Sequence, residues 1–99
     1  MDLNKAARRA YKNAVARKKV GESLNHEESV RTLMAEFKEF KNADESLPSN
    51  HLPEYPESVE ELTDILIGSL TELHRRNVDV EAVVHAKLKY NKNRLNQKR

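Results

Sequence analysis

Apolar residues recur every three or four positions in four stretches of the 99-residue chain, which predicts four helices. The first helix is expected over about residues 3–20, with its small apolar residues on one side. The second is expected to begin at Asn25-His-Glu-Glu28, which resembles a capping box. It carries five large apolar residues at helical spacing, of which the two phenylalanines are expected in the core: Val30, Leu33, Met34, Phe37 and Phe40.

All three prolines fall in residues 46–57, where the periodicity stops, so this segment is predicted to be an ordered loop or a crossover. A Ser-x-x-Glu capping box at Ser58 predicts the start of the third helix, and Asn77 and Asp79 break and recap the chain before the fourth. The apolar residues of these two helices are Val59, Leu62, Ile65, Leu66, Leu70, Leu73, Val80, Val83, Val84 and Leu88. The pattern therefore predicts an all-α, four-helix bundle.

Length and composition favour one domain over residues 1–99, with a basic C-terminal tail from about residue 95. A charged fraction of 34% beside a hydrophobic fraction of 37% gives a thin core, which is typical of a bundle completed by oligomerisation. The chain has no cysteine, which excludes disulfides and zinc–thiolate sites. It also lacks a signal-peptide pattern and a long apolar run, so a cytoplasmic protein with no membrane partner is expected.

The net charge of +2 conceals an uneven distribution of charge. Residues 1–19 carry a net +6, residues 20–85 a net −10 and residues 86–99 a net +6. The basic ends could place cations near a carboxylate site, or they could attract any polyanion, and the charge alone does not distinguish these alternatives.

Two pairs of carboxylates three positions apart lie beside the apolar stripes of the second and third helices. They are Glu36 with Glu39 and Glu61 with Asp64. Residues three apart share one face of a helix, so antiparallel packing of the two helices would bring both pairs to one cleft. Four converging carboxylates repel each other unless a divalent cation such as Mg²⁺ neutralises them. The alternative reading is a charged, solvated surface.

Three motifs in order resemble the MazG-like, all-α nucleoside triphosphate pyrophosphohydrolases, which include dCTP and dUTP pyrophosphatases. LMAEFKEF is similar to the family's E-E-x-x-E block, except that Ala35 replaces the first glutamate. EELTDILIGSL is similar to its E-x-x-D block. AKLKYNKNR is similar to its K-x-x-x-N-x-x-R ending and supplies Lys87, Asn91 and Arg94.

The resemblance implies an Mg²⁺-dependent enzyme, with Mn²⁺ as an alternative, that hydrolyses a nucleoside triphosphate to the monophosphate and pyrophosphate. Glu36, Glu39, Glu61 and Asp64 would hold the metal, and Glu36 and Glu39 would be catalytic. Lys87, Asn91 and Arg94 would bind the substrate, and Asn13 matches a position of polar substrate contacts. The family resemblance also implies a homodimer or homotetramer, and nucleic acid is not an expected partner.

Two alternatives remain open from the sequence. One is a phosphoribosyl-ATP pyrophosphohydrolase-like enzyme, which would use the same acidic residues. The other is a non-catalytic helical interaction module that binds nucleic acid or an acidic partner through its basic ends. Salt-sensitive binding without metal dependence would favour the module.

Overall fold

Four α-helices make up most of the computed structural model, which describes residues 2–97 of the chain and the burial of side chains for residues 2–94. They are α1 (Leu3–Ala16), α2 (His26–Lys41), α3 (Glu57–Arg75) and α4 (Val80–Gln97). The described residues contain no strand; one isolated bridge pairs Pro48 with Pro56 inside the proline-rich loop. The all-α prediction with four helices is confirmed.

The predicted C-terminal end of α1 is wrong, whereas the predicted start of α2 is confirmed. α1 ends at Ala16 rather than near residue 20, because Lys18 adopts a left-handed conformation with φ of 59° and turns the chain. α2 begins where expected, since the Asn25 side chain accepts a hydrogen bond from the Glu28 amide at 3.0 Å. The side chain of Glu28 does not complete a capping box, however, and forms an ion pair with Arg75 instead.

The capping box predicted at Ser58 is wrong. α3 begins at Glu57 after Pro56, and no side chain caps it. Ser58 is buried and its hydroxyl donates to the Glu45 carboxylate at 3.0 Å, so the serine ties the helix to the loop instead of capping the helix. The predicted break before α4 is confirmed, since Asn77 has φ of 58° and the Asp79 side chain accepts from the Ala82 amide.

α3 is the central helix, because each of the other three packs against it. Within residues 2–97, α1 and α2 do not pack against each other, so both lie against α3. The main core lies where α1, α3 and α4 meet, and it consists of Ala7, Ala10, Leu70 and Val80 with partly buried Leu3, Ala6, Leu73 and Val84 around them. Because alanine side chains are small, α1 can approach α3 closely. The prediction that these alanines lie on one side of α1 is confirmed.

α2 and α3 run antiparallel and meet through polar side chains. The Ser29 hydroxyl donates to the Glu72 carboxylate at one end, and Glu36 approaches Asp64 toward the other. Between them, a Cβ on Gly68 would lie 3.1 Å from the Leu33 side chain, so the missing side chain permits this close approach. The interface between these helices therefore has polar contacts toward both ends and the Leu33–Gly68 contact between them.

A buried ion-pair network holds the α1–α2 connection against α3. The Arg75 side chain is fully buried and lies 3.0 Å from both the Glu28 and the Glu72 carboxylates. It also donates to the backbone carbonyl of Ser23, and Arg76 pairs with Glu72 at 2.8 Å. Two arginines thus neutralise two glutamates, and because Arg75 and Glu72 are buried, the network is sensitive to the loss of either of them.

The predicted apolar stripes of α2 and α3 are only partly buried. Phe37, expected in the core, is 57% exposed, and Met34 is 66% exposed. On α3, Leu62 and Leu66 are 53% and 55% exposed. The core prediction is wrong for Phe37. Leu66 lines the cleft beside α1, whereas no element of the described chain covers Phe37, Met34 or Leu62.

α4 is attached to the bundle mainly through its first turns. Val80 is fully buried, its amide donates to the Asn4 side chain at 2.7 Å, and Glu81 accepts from the Leu3 amide. α4 continues to Gln97 and so includes residues 95–97, where the basic tail was predicted to begin; residues 98–99 lie outside the described part of the chain. Among the described helices, none combines the length and apolar character needed to cross a membrane.

Candidate metal centre

Four carboxylates from α2 and α3 converge at one point. Glu36, Glu39, Glu61 and Asp64 each offer one oxygen, and these four oxygens all lie within 4.8 Å of one another. Glu36 is buried, Glu61 and Asp64 are partly buried, and Glu39 is exposed. The structure therefore brings together all four residues of the predicted metal set. Their role as metal ligands stays a prediction.

Helical spacing and antiparallel packing produce this convergence. Each pair is three residues apart and so presents both carboxylates on one face. Because Glu36 lies in the α2–α3 interface rather than on its outer flank, the two faces meet directly. The neighbouring Glu60 points elsewhere: its carboxylate accepts from the Ser49 hydroxyl and lies 2.9 Å from His51 Nδ1. Glu60 thus binds residues of the proline-rich loop, whereas the adjacent Glu61 belongs to the carboxylate cluster.

The cluster holds more negative charge than its surroundings compensate. Burial, together with the neighbouring Glu39 and Asp64 carboxylates, raises the pKa of Glu61 to about 7. Burial also raises the pKa of Asp64, with the negative charge of Glu36 adding to the effect. Within the described residues, Glu61 Oε2 is buried without a hydrogen-bond partner. Both carboxyl groups are destabilised in their ionised form.

One basic side chain offsets part of this charge. Lys19 Nζ forms an ion pair with Glu36 Oε1, and it lowers the pKa of Asp64 against the larger raising effects. Among the described residues, Lys19 alone forms an ion pair with a member of the cluster. The Lys19 side chain is 43% exposed, whereas that of Glu36 is 7% exposed. An exposed ammonium therefore neutralises a buried carboxylate.

The donor set fits a hard divalent cation. Mg²⁺ binds oxygen ligands at 2.0–2.1 Å in an octahedron, so opposite ligands lie about 4.2 Å apart. Oxygens already within 4.8 Å of each other need only small rotamer adjustments to reach that geometry. Mn²⁺ prefers the same oxygen ligands. The unpartnered Glu61 Oε2 also favours a cation, since coordination would satisfy a buried acceptor.

A cleft of about 460 Å³ opens beside the cluster, between α1 and α3. Asp64 belongs to both the cluster and the cleft wall. The floor is largely apolar, with Ala10, Ile67 and Leu70, whereas four polar or basic residues of the α1 side also line it: Arg9, Asn13, Arg17 and Lys19. The cleft thus combines an apolar surface, positive charge and a shared carboxylate.

Three basic residues that line the cleft were not among the predicted site residues: Arg9, Arg17 and Lys19. A signal for two of them exists, because residues 9, 13 and 17 are four apart and therefore lie along one side of α1. Lys19 follows the end of the helix, so helical periodicity could not have placed it. Asn13, which the resemblance singled out, does line the cleft.

The predicted substrate-binding residues of α4 form no hydrogen bond or ion pair with the carboxylate cluster in the described part of the chain. Lys87, Asn91 and Arg94 are all exposed. Lys87 Nζ lies 4.8 Å from the centre of the Tyr90 ring, and the Arg94 guanidinium lies 5.9 Å from it. No hydrogen bond or ion pair joins these three side chains to the carboxylates within the described chain. Their role in substrate binding stays a prediction.

Comparisons with models of known protein families, with curated proteins and with solved structures find no match to this chain. The MazG-like assignment therefore remains a prediction from three short motifs. A functional conclusion has to rest on the geometry and charge of the site itself.

The metal-free protein is expected to lose stability as the pH rises from about 4.5 to 7. Glu61 keeps its proton in the folded state up to about pH 7, whereas the unfolded chain releases it near the ordinary value of 4.5. The folded state thus binds more protons in this window, so the free energy of unfolding falls with pH. Asp64 and His51, whose pKa values are also raised, act in the same direction.

Thermal unfolding between pH 5 and pH 8, with EDTA or with Mg²⁺, measures this dependence. Mg²⁺ is expected to raise the melting temperature most at pH 8, where the carboxylates are ionised. Glu61→Gln should flatten most of the pH dependence in EDTA and leave the smaller part due to Asp64 and His51. A melting temperature that rises with pH in EDTA would contradict the claim that ionisation of these carboxylates destabilises the folded, metal-free protein.

Proposed function

We propose that this protein is a divalent-metal-dependent nucleoside triphosphate pyrophosphohydrolase, with Mg²⁺ as the metal and a nucleoside monophosphate and pyrophosphate as products. The observation that carries the proposal is the convergence of four carboxylate oxygens within 4.8 Å beside a cleft with a basic side. A cluster of this kind favours hard cations, and hard cations in turn bind phosphates. The three sequence motifs add the reaction type by resemblance.

In the proposed reaction a water molecule attacks the α-phosphorus, and the bond to the oxygen bridging the α- and β-phosphates breaks. A bound Mg²⁺ would supply positive charge that orients the phosphates and stabilises the charge of the transition state. Glu36, Glu61 and Asp64 are the more buried members and would hold the cation rigidly. Glu39 is the exposed member, and we assign it as the acceptor of the proton from the attacking water.

The cleft is the proposed place of the nucleoside. Its apolar floor suits a base and a sugar, and Asn13 offers a hydrogen-bonding side chain. Arg9 and Arg17 bring positive charge to the same space, which favours a polyanionic substrate. Lys87, Asn91 and Arg94 remain proposed phosphate contacts through the resemblance alone.

Pyrophosphate release from a panel of dNTPs, NTPs and phosphoribosyl-ATP, with Mg²⁺ and with EDTA, tests the proposal. Turnover of at least one nucleoside triphosphate that stops in EDTA is the expected result. Turnover of phosphoribosyl-ATP alone would identify the related enzyme. Absence of turnover, with salt-sensitive binding of nucleic acid that ignores Mg²⁺, would support the interaction module instead.

We also propose that a second copy of the chain covers the outer apolar face of α2 and α3. This face consists of Val30, Met34 and Phe37 on α2 and Leu62 on α3, which are exposed and do not line the cleft beside α1. Their exposed fractions are between 41% and 66%. With side chains of about 150–250 Å², they expose roughly 400 Å², about half of the ~800 Å² that each partner contributes to a standard interface.

Phe37→Glu is expected to convert a dimer to a monomer, because it places a charge in the apolar centre of the proposed interface. Sedimentation velocity gives the mass of wild type and variant. Ala35→Glu is the matched control: Ala35 is exposed two residues away, about 160° around the helix, and its change should leave the mass unaltered. A monomeric wild type at micromolar concentration would contradict the proposed dimer.

A further inference from the structure

Lys19 is fixed at its backbone, whereas its side chain is partly exposed. Its amide donates to the Ala14 carbonyl at 2.8 Å, and the amide of Lys18 donates to the Val15 carbonyl at 2.9 Å, so both residues are held against the end of α1. The next residue, Val20, is buried and anchors the segment further. The Lys19 side chain is nevertheless 43% exposed, which leaves room for its ammonium group to move.

The ammonium group and a metal ion would compete for one oxygen. Lys19 Nζ contacts Glu36 Oε1, and Glu36 is a member of the carboxylate cluster. A divalent cation bound to that carboxylate would lie within a few ångströms of the ammonium, where two positive charges repel strongly in a partly buried site. Occupation by a metal ion therefore disfavours the observed Lys19 position.

A second place for the ammonium is available close by. Lys19 also lines the cleft that Asp64 shares with the cluster, together with Arg9 and Arg17. A lysine that leaves Glu36 can remain in this space, because its backbone does not have to move. Its positive charge would then face an anion in the cleft instead of a carboxylate of the protein.

We propose that Lys19 is a tethered counter-cation, which occupies the carboxylate cluster when no metal is bound and is released into the cleft, to bind phosphate, when a divalent cation enters. The proposal rests on the proposed function, because it takes the cluster as a metal site. It adds a link between the two ligands: metal binding would prepare the cleft for a polyphosphate by freeing one positive charge.

Binding of Mn²⁺ alone, measured by electron paramagnetic resonance, tests the first half. Lys19→Met is expected to bind Mn²⁺ about tenfold more tightly than wild type, since it removes a competing cation. Lys18→Met is the matched control: it removes the same charge from the preceding exposed residue and should change the affinity by less than about twofold. Lys19→Arg should behave like wild type. Equal affinities of Lys19→Met and Lys18→Met would overturn the proposal.

Binding of inorganic pyrophosphate to the Mg²⁺-saturated protein tests the second half. Lys19→Met is expected to bind pyrophosphate severalfold more weakly than Lys18→Met, although it binds metal more tightly. Unchanged pyrophosphate affinity would refute the release into the cleft. Wild-type protein that binds no Mn²⁺ would refute the proposed function as well, whereas normal Mn²⁺ binding with no effect of Lys19→Met refutes the Lys19 proposal only. Circular dichroism verifies that each variant keeps its helices.

Discussion

Glu61→Gln is expected to reduce kcat/KM for pyrophosphate release by about 10³-fold and, at the same time, to stabilise the metal-free protein. The loss follows because charge stabilisation by a bound metal is worth several kcal/mol, and each 1.36 kcal/mol corresponds to a factor of ten in rate. The gain in stability follows because Glu61 is strained: its pKa is raised to about 7 by burial and by its acidic neighbours. An amide removes the repulsion and keeps the shape.

Pyrophosphate release and urea unfolding in EDTA, both measured at pH 8, provide the two readouts. Glu27→Gln is the control, because Glu27 is an exposed acid in the first turn of α2 outside the cluster. It should leave activity within about twofold and change stability by only a few tenths of a kcal/mol. Activity that survives Glu61→Gln would remove the cluster from the proposed mechanism. Reduced stability in EDTA would instead show that Glu61 has a structural role.

Arg75→Met is expected to destabilise the protein by about 3–5 kcal/mol, the largest effect on stability that the structure indicates. The Arg75 side chain is fully buried between Glu28 and Glu72, and it also binds the Ser23 carbonyl. Its removal takes away the Arg75 ion pair of Glu28, leaves the buried Glu72 with Arg76 alone as its ion-pair partner, and releases the α1–α2 connection from α3. A domain of this size has a total stability of only about 5–15 kcal/mol, so the variant should be close to unfolding.

Urea unfolding at pH 7 measures this effect. Arg31→Met is the matched control, since Arg31 is exposed on α2, and a change of less than about 0.5 kcal/mol is expected. The double variant Glu28→Gln with Arg75→Met should recover part of the loss, because Glu28 is the carboxylate that loses its ion-pair partner. Equal stability of the Arg75 and Arg31 variants would show that the network contributes nothing to the folded state.

Several features of the site could be predicted from local spacing. Carboxylates three positions apart in two helices gave all four members of the cluster, because helical geometry fixes which side chains share a face. The small residues of α1 were correctly placed in the core for the same reason. The exposure of Phe37 and Leu62 could not be predicted. Periodicity shows that residues share a face, but it does not show whether another element covers that face.

Local sequence patterns were sufficient to predict four helices, the loop that contains the three prolines and the members of the acidic cluster. These depend on interactions between residues close in the chain, such as the Asn25 cap and the left-handed turn at Asn77. The packing of the helices was needed to show that α3 is the central helix, that Gly68 lets α2 and α3 approach closely, and that Lys19 reaches Glu36. Those contacts join residues far apart in sequence, and their formation depends on how whole helices pack.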